Sequence, residues 1–186
     1  MSMRGVVTAE FSIVLVWFML LCCGVLELAR VLYMFNTLQA VTLRAASAAA
    51  HTDFADAAAL AVLRQQALLR DGGGGLLLGA PVSAAYVRID YLALTSNGAA
   101  MTPIAAAALP ACPANNRLVC MKDPYDASCI RLVRARICDP ADSGECRAVL
   151  YQPLFSFLSL PLTLPTATAI AAAETLGALP GAAPCP

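Results

Sequence analysis

The run Arg4-Gly5-Val6-Val7-Thr8-Ala9-Glu10-Phe11, continued by uncharged apolar residues from Phe11 to Leu26, decides how the rest of the chain is read. Extended backward by Val6 to Ala9, the apolar stretch approaches the ~20 residues a helix needs to cross the hydrocarbon core of a bilayer. Glu10 interrupts it. A carboxylate carried into hydrocarbon costs about 3 kcal/mol or more, so Glu10 either stays wet at the membrane face or meets a partner there. The spacing suggests the second use. Cutting the chain after Gly5 would leave Val6 as the new N-terminus and Glu10 as the fifth residue of the mature helix.

That arrangement resembles type IV prepilins, whose leader ends in a basic residue and Gly and whose mature helix carries Glu followed by Phe or Tyr. Further residues narrow the likeness: Gly24-Val25-Leu26-Glu27-Leu28-Ala29-Arg30, Tyr33, Leu38-Gln39-Ala40 and Arg44-Ala45-Ala46. They resemble the N-terminal region of TadE-like minor pilins, or pseudopilins, of the tight-adherence (Flp, type IVb) pilus system. The likeness covers roughly the first quarter of the chain. Val149-Leu150-Tyr151, Pro153-Leu154 and an Ala-rich end reaching Glu174 give a weaker echo. The resemblance implies a pilin-like fold and cleavage by a prepilin peptidase between Gly5 and Val6. It also implies a role in pilus assembly and adhesion for a helix in which Glu10, next to Phe11, pairs with the N-terminal amine of a neighbouring subunit. The implied partners are the bacterial inner membrane, the peptidase, pilins and other pilus-assembly subunits.

Charge and cysteine content bound the alternatives. Twelve basic residues balance twelve acidic ones, so no net field points to nucleic acid or to an acidic substrate. Cys22 and Cys23 lie in the apolar run and read as small apolar residues. Cys112, Cys120, Cys129, Cys138, Cys146 and Cys185 fall in the last half of the chain, which suggests a disulfide framework in an oxidising space. Their pairing is open among fifteen possibilities. No C-x-x-C pair is present and His51 is the only histidine, so the spacing disfavours zinc. No metal and no cofactor is expected.

The flanks suggest topology. Arg4 precedes the span on its short side and the bulk of the protein follows, which favours a single-pass chain with a cytoplasmic N-terminus and a periplasmic C-terminal domain. The reading Glu27-Leu28-Ala29-Arg30 directly after the apolar run offers no signal-peptidase site, and Leu21 before Cys22 does not fit a lipoprotein anchor.

The expected fold class is α+β, a long N-terminal transmembrane and amphipathic helix followed by a small disulfide-stabilised β-rich domain. Residues 1–5 read as a short leader and 6–51 as the extended helix. Residues 52–79 read as a second helix with a Gly-rich joint, and 80–186 as the cysteine-containing domain. Beyond the span, Leu28, Val31, Leu32, Phe35, Leu38, Thr42, Ala45, Ala46 and Ala49 trace one helical face. Arg30, Thr37, Arg44 and His51 form a polar stripe opposite. Glu27 and Arg30 are expected to pair on the surface. Asp53 reads as the cap of the second helix, from Phe54 to about Leu69, and Asp71-Gly72-Gly73-Gly74-Gly75 as its end. Strands are expected at Ser83 to Leu94, Arg117 to Met121, Cys129 to Cys138 and Cys146 to Tyr151, with an Asn97-Gly98 turn after the first. Phe155 to Leu164, broken by prolines, reads as an edge strand or docked loop, and Thr166 to Leu176 as a short helix or last strand.

Chemistry is sparse. A lone His51 on an Ala-rich helix gives no nucleophilic triad, and neither G-x-S-x-G nor H-E-x-x-H occurs. Asp139, Asp142 and Glu145 lack the order of a calcium loop. Arg131, Arg134, Arg136 and Arg147 read as charges on an exposed strand face or as a dock for an acidic partner. The reading is a non-enzymatic minor pilin or pseudopilin of Flp-type pili. The alternatives are a single-span periplasmic binding module and a pseudopilin of a secretion system.

Overall fold

The computed structural model describes residues 4–69, 74–96, 98, 100–141, 144–157, 161–178, 181 and 185, with side chains from Val7 onward. The leader residues 1–3, most of the glycine joint, Asn97 of the turn, Asp142 and part of the C-terminal tail lie outside the described residues. The architecture is α+β. Helix α1, Arg4–Ala49, is 46 residues long, or about 70 Å at 1.5 Å per residue. Its first half stands clear of the domain, with every residue from Val7 to Leu21 exposed.

The second half of α1 lies against a four-stranded antiparallel sheet. The strands β1 (Val87–Leu94), β2 (Met101–Pro103), β3 (Leu132–Ile137) and β4 (Thr168–Ala172) are ordered β2-β1-β3-β4. Alternation puts Val87 and Tyr91 of β1, and Val133, Ala135 and Ile137 of β3, into the core. Met34, Leu38, Val41, Ala45, Ala46 and Ala49 of α1 meet them. Where β4 joins, both surfaces are small: Ala169 and Ala171 pack against the same core, and the Leu176 amide donates to the Ala50 carbonyl at 3.0 Å. The alanine run therefore serves close helix-to-sheet packing within this chain.

The buried face of α1 follows the periodicity at Leu38, Thr42, Ala45, Ala46 and Ala49 and departs from it nearer the apolar run. Leu28, Leu32 and Phe35 are exposed, whereas Glu27, Arg30, Met34, Leu38 and Val41 are buried. Arg30 thus leaves the expected polar stripe, on which Arg44 and His51 do remain exposed. The departure lies where Glu27 and Arg30 are drawn inward by their bonds to Tyr151 and the loops at Leu78 and Leu154.

Helix α2, Ala57–Ala67, is capped by Asp56, whose carboxylate accepts from the amides of Ala58 and Ala59. Asp53, the expected cap, instead closes a local turn by accepting from the Ala55 amide at 2.8 Å. Both aspartates offer a short acceptor; the second stands where the helix begins. Phe54 between them packs edge-on against Tyr91, with ring centroids 5.6 Å apart.

Arg117 to Met121, expected as a strand, belongs to helix α3, Pro113–Lys122. Pro113 at its start favours a first helical turn. Asn116, one turn in, holds the chain at Ile130 by accepting from its amide at 2.8 Å and donating to its carbonyl at 3.4 Å. Thr166 to Leu176 contributes β4, the strand alternative. Cys146 to Tyr151 forms no regular strand; Leu150 makes an isolated bridge to Thr163.

Three disulfides brace this domain. Cys120–Cys129 ties α3 to the entry of β3, Cys138–Cys146 closes the loop after β3, and Cys112–Cys185 fastens the C-terminal tail to the start of α3.

Candidate functional site

The N-terminal residues singled out by the sequence sit on the free half of α1. Gly5 and Val6 have helical backbone. Glu10 is exposed and Phe11 is 67 % exposed, in a helix long and apolar enough to cross a membrane. The hydroxyl of Ser12 donates to the Thr8 carbonyl at 2.7 Å, so it adds no unmet polar group to the apolar surface. Among the described residues, no group pairs with the Glu10 carboxylate. A carboxylate at this place in a membrane span calls for a partner from outside the described residues.

A second polar constellation stands where the apolar run ends. Glu27 and Arg30 are nearly sealed from solvent, 2 % and 8 % exposed, and their charged groups approach to 3.5 Å. The expected surface pair is thus a buried one. The Tyr151 hydroxyl donates to the Glu27 carboxylate, which also accepts from the Leu154 amide at 3.1 and 3.2 Å. Arg30 donates to the carbonyls of Leu78 at 2.7 Å, Ala80 at 3.2 Å and Gln152 at 2.6 Å, and to the Tyr151 hydroxyl at 3.2 Å. The guanidinium also lies 5.1 Å from the Tyr151 ring centroid. Two charges on one helical turn therefore hold two loops, 76–80 and 151–154, that are distant in sequence.

Burial and the hydrogen bond to Glu27 push the Tyr151 hydroxyl up to about 12, against opposing pulls from Arg30. Tyr151 stays protonated and donating at any physiological pH. The Tyr91 hydroxyl is also pushed up to about 12, first by burial, with nearby Arg64 opposing. It is buried without a hydrogen-bond partner, as is Nε of Arg64.

The outer face of the sheet carries Asp90 among three arginines. Its carboxylate accepts from Arg134 at 3.0 Å, Arg136 at 2.6 Å and Arg88 at 3.3 Å. Two of the four arginines suggested for an acidic partner are thus engaged within the sheet, while Arg131 is exposed. His51 faces Glu174 at 3.7 Å on the surface, both well exposed. No cluster of three metal-ligating side chains occurs among the described residues. A cleft of about 350 Å³ beside the Cys138–Cys146 disulfide is lined by Arg64, Tyr86, Arg88 and Asp139, a set with no nucleophile and base to pair.

The sequence suggests the Glu27–Arg30 pair, though on the surface, and does not show its burial or its union with Tyr151. One signal was present: residues 27, 34 and 41 recur every seven positions, in line with the buried Met34 and Val41.

No curated protein and no solved structure matches the chain. Residues 5–47 match the family described as TadE-like protein, so the segment that bears Glu10, the apolar run, Glu27 and Arg30 is TadE-like.

Proposed function

We propose that this chain is a minor pilin or pseudopilin that supports assembly of tight-adherence pili, anchored in the inner membrane by α1 with its disulfide-bonded domain in the periplasm. The observation that carries the reading is the unpartnered, exposed Glu10 on a free apolar helix, within a segment that matches a pilus-associated family. Cleavage after Gly5 by a prepilin peptidase would place an ammonium group one helical turn from Glu10. The amine of one subunit then meets the carboxylate of the next, and each removes the other's burial penalty only in the correct register. Three disulfides suit the domain to an oxidising compartment.

Glu10→Ala is expected to leave membrane insertion intact, because it makes the span more apolar, and to reduce piliation sharply. Surface pili counted by electron microscopy, with membrane fractionation of the same cells, check both halves. Normal piliation in that variant contradicts the proposal.

A further inference from the structure

The polar knot at the end of the apolar run fixes where two apolar loops stand relative to the span. In an α-helix side chains lean toward the N-terminus, so the Glu27 carboxylate lies over the turn that contains Cys23 and Gly24. The Leu154 amide binds that carboxylate. Residues 152–157 therefore hang beside the last turn of the apolar run. Consistent with this, Cys22, Cys23 and Gly24 are half-buried, whereas Val7 to Leu21 are exposed throughout.

What these loops present is apolar and uncovered. Leu78 is 61 % exposed, Leu154 59 % and Phe157 60 %, and Phe155 stacks beside Phe157 with centroids 5.6 Å apart. The sequence around them carries no Asp, Glu, Lys or Arg from Gly72 to Val87 or from Ala148 to Ala173. Leu78 is also held with φ +55°, a left-handed conformation that costs a residue with a Cβ roughly 1 kcal/mol. Its carbonyl is turned onto Arg30 while its side chain is left in the open.

We infer that the loops bearing Leu78, Leu154 and Phe157 form a collar that inserts into the interfacial layer of the lipid bilayer around α1, seating the domain directly on the membrane. Continuity with the span selects lipid as the occupant. The collar lies at the level of Glu27, about 32 Å along the helix from Val6 at 1.5 Å per residue, which matches the ~30 Å after which the hydrocarbon core gives way to headgroups. An apolar, uncharged rim suits that layer. The Glu27–Arg30 pair, sealed beneath it, then spans the boundary with its charges satisfied inside the protein rather than in lipid. This inference rests on α1 crossing the membrane.

The test uses the full chain in phosphatidylcholine nanodiscs, one copy per disc, with lipids brominated near the glycerol end of the acyl chain or near its middle. The native Trp17 reports on the span. In a Trp17→Phe background, Leu154→Trp or Phe157→Trp reports on the collar, and Met121→Trp, at an 80 % exposed site on α3, is the control. The collar reporters are expected to lose most of their emission to the shallow bromines while the control loses none. Collar reporters quenched no more than the control overturn the inference, even with Trp17 quenched by the deeper bromines. An unquenched Trp17 overturns the span and the collar together. A collar reporter that changes only when two copies share a disc, and ignores bromine, overturns lipid in favour of a second copy.

Discussion

Arg30 reaches carbonyls in both loops and the hydroxyl of Tyr151, all while buried beside Glu27. Removing one member of a buried pair leaves the other charge without compensation, at a cost of about 3–5 kcal/mol. Arg30→Ala is therefore expected to lower the domain's stability by that order in detergent denaturation, far beyond the few tenths expected of a surface i,i+3 pair. The two raised tyrosines give a pH dependence. Each hydroxyl has its native pKa pushed from the ordinary 10.0 up to about 12. The native state thus holds its proton more tightly than the unfolded chain does. Their contribution to stability is complete below pH 10 and is lost as pH rises from about 10 to about 12. Alkaline denaturation is expected to steepen in that window and to flatten in Tyr91→Phe. At neutral pH that variant removes only an unpartnered buried hydroxyl, so it is expected to be as stable as the parent or more so.

The elements differ in how far their sequence prescribes them. The apolar run of α1 and the alternation of β1 and β3 are legible because one physical constraint dominates each: hydrocarbon length in the first, a half-buried pleat in the second. Helix α3 was not legible. Arg117 to Met121 reads Arg-Leu-Val-Cys-Met, a short apolar run that suits a strand as well as a helix, and only the contacts of Asn116 with Ile130 and the Cys120–Cys129 bond explain its helical docking. The buried face of α1 was legible from Leu38 to Ala49 and hidden at its first turns for a different reason. Glu27 and Arg30 look like surface residues until Tyr151 and the two loops arrive from far along the chain, so a local pattern cannot show that they are sealed. Disulfide pairing is likewise a property of the folded topology. The bonds are expected to contribute unequally: Cys112–Cys185 spans a sequence separation of 73 and Cys138–Cys146 one of 8. On chain entropy these are worth about 4 and about 2.5 kcal/mol. Replacing the first pair by serines should therefore lower the denaturation midpoint more than replacing the second.

At the scale of the whole molecule, one helix serves two environments. Its first half offers lipid or neighbouring helices an apolar surface marked by Glu10, and its second half forms the spine of the α+β domain. The knot of Glu27, Arg30 and Tyr151 at their junction ties the helix to the loops at Leu78 and Leu154. A candidate assembly signal at one end and a rigid joint in the middle suit a subunit that is handled by its helix. The claim beneath all of this is that Gly5 and Glu10 form one processing and assembly signal. Intact-mass and N-terminal analysis of the protein from its native host tests it most directly, alongside a Gly5→Ala variant. The account predicts a mature chain that begins at Val6, and an uncleaved chain in the variant. A parent protein that keeps residues 1–5 would contradict it.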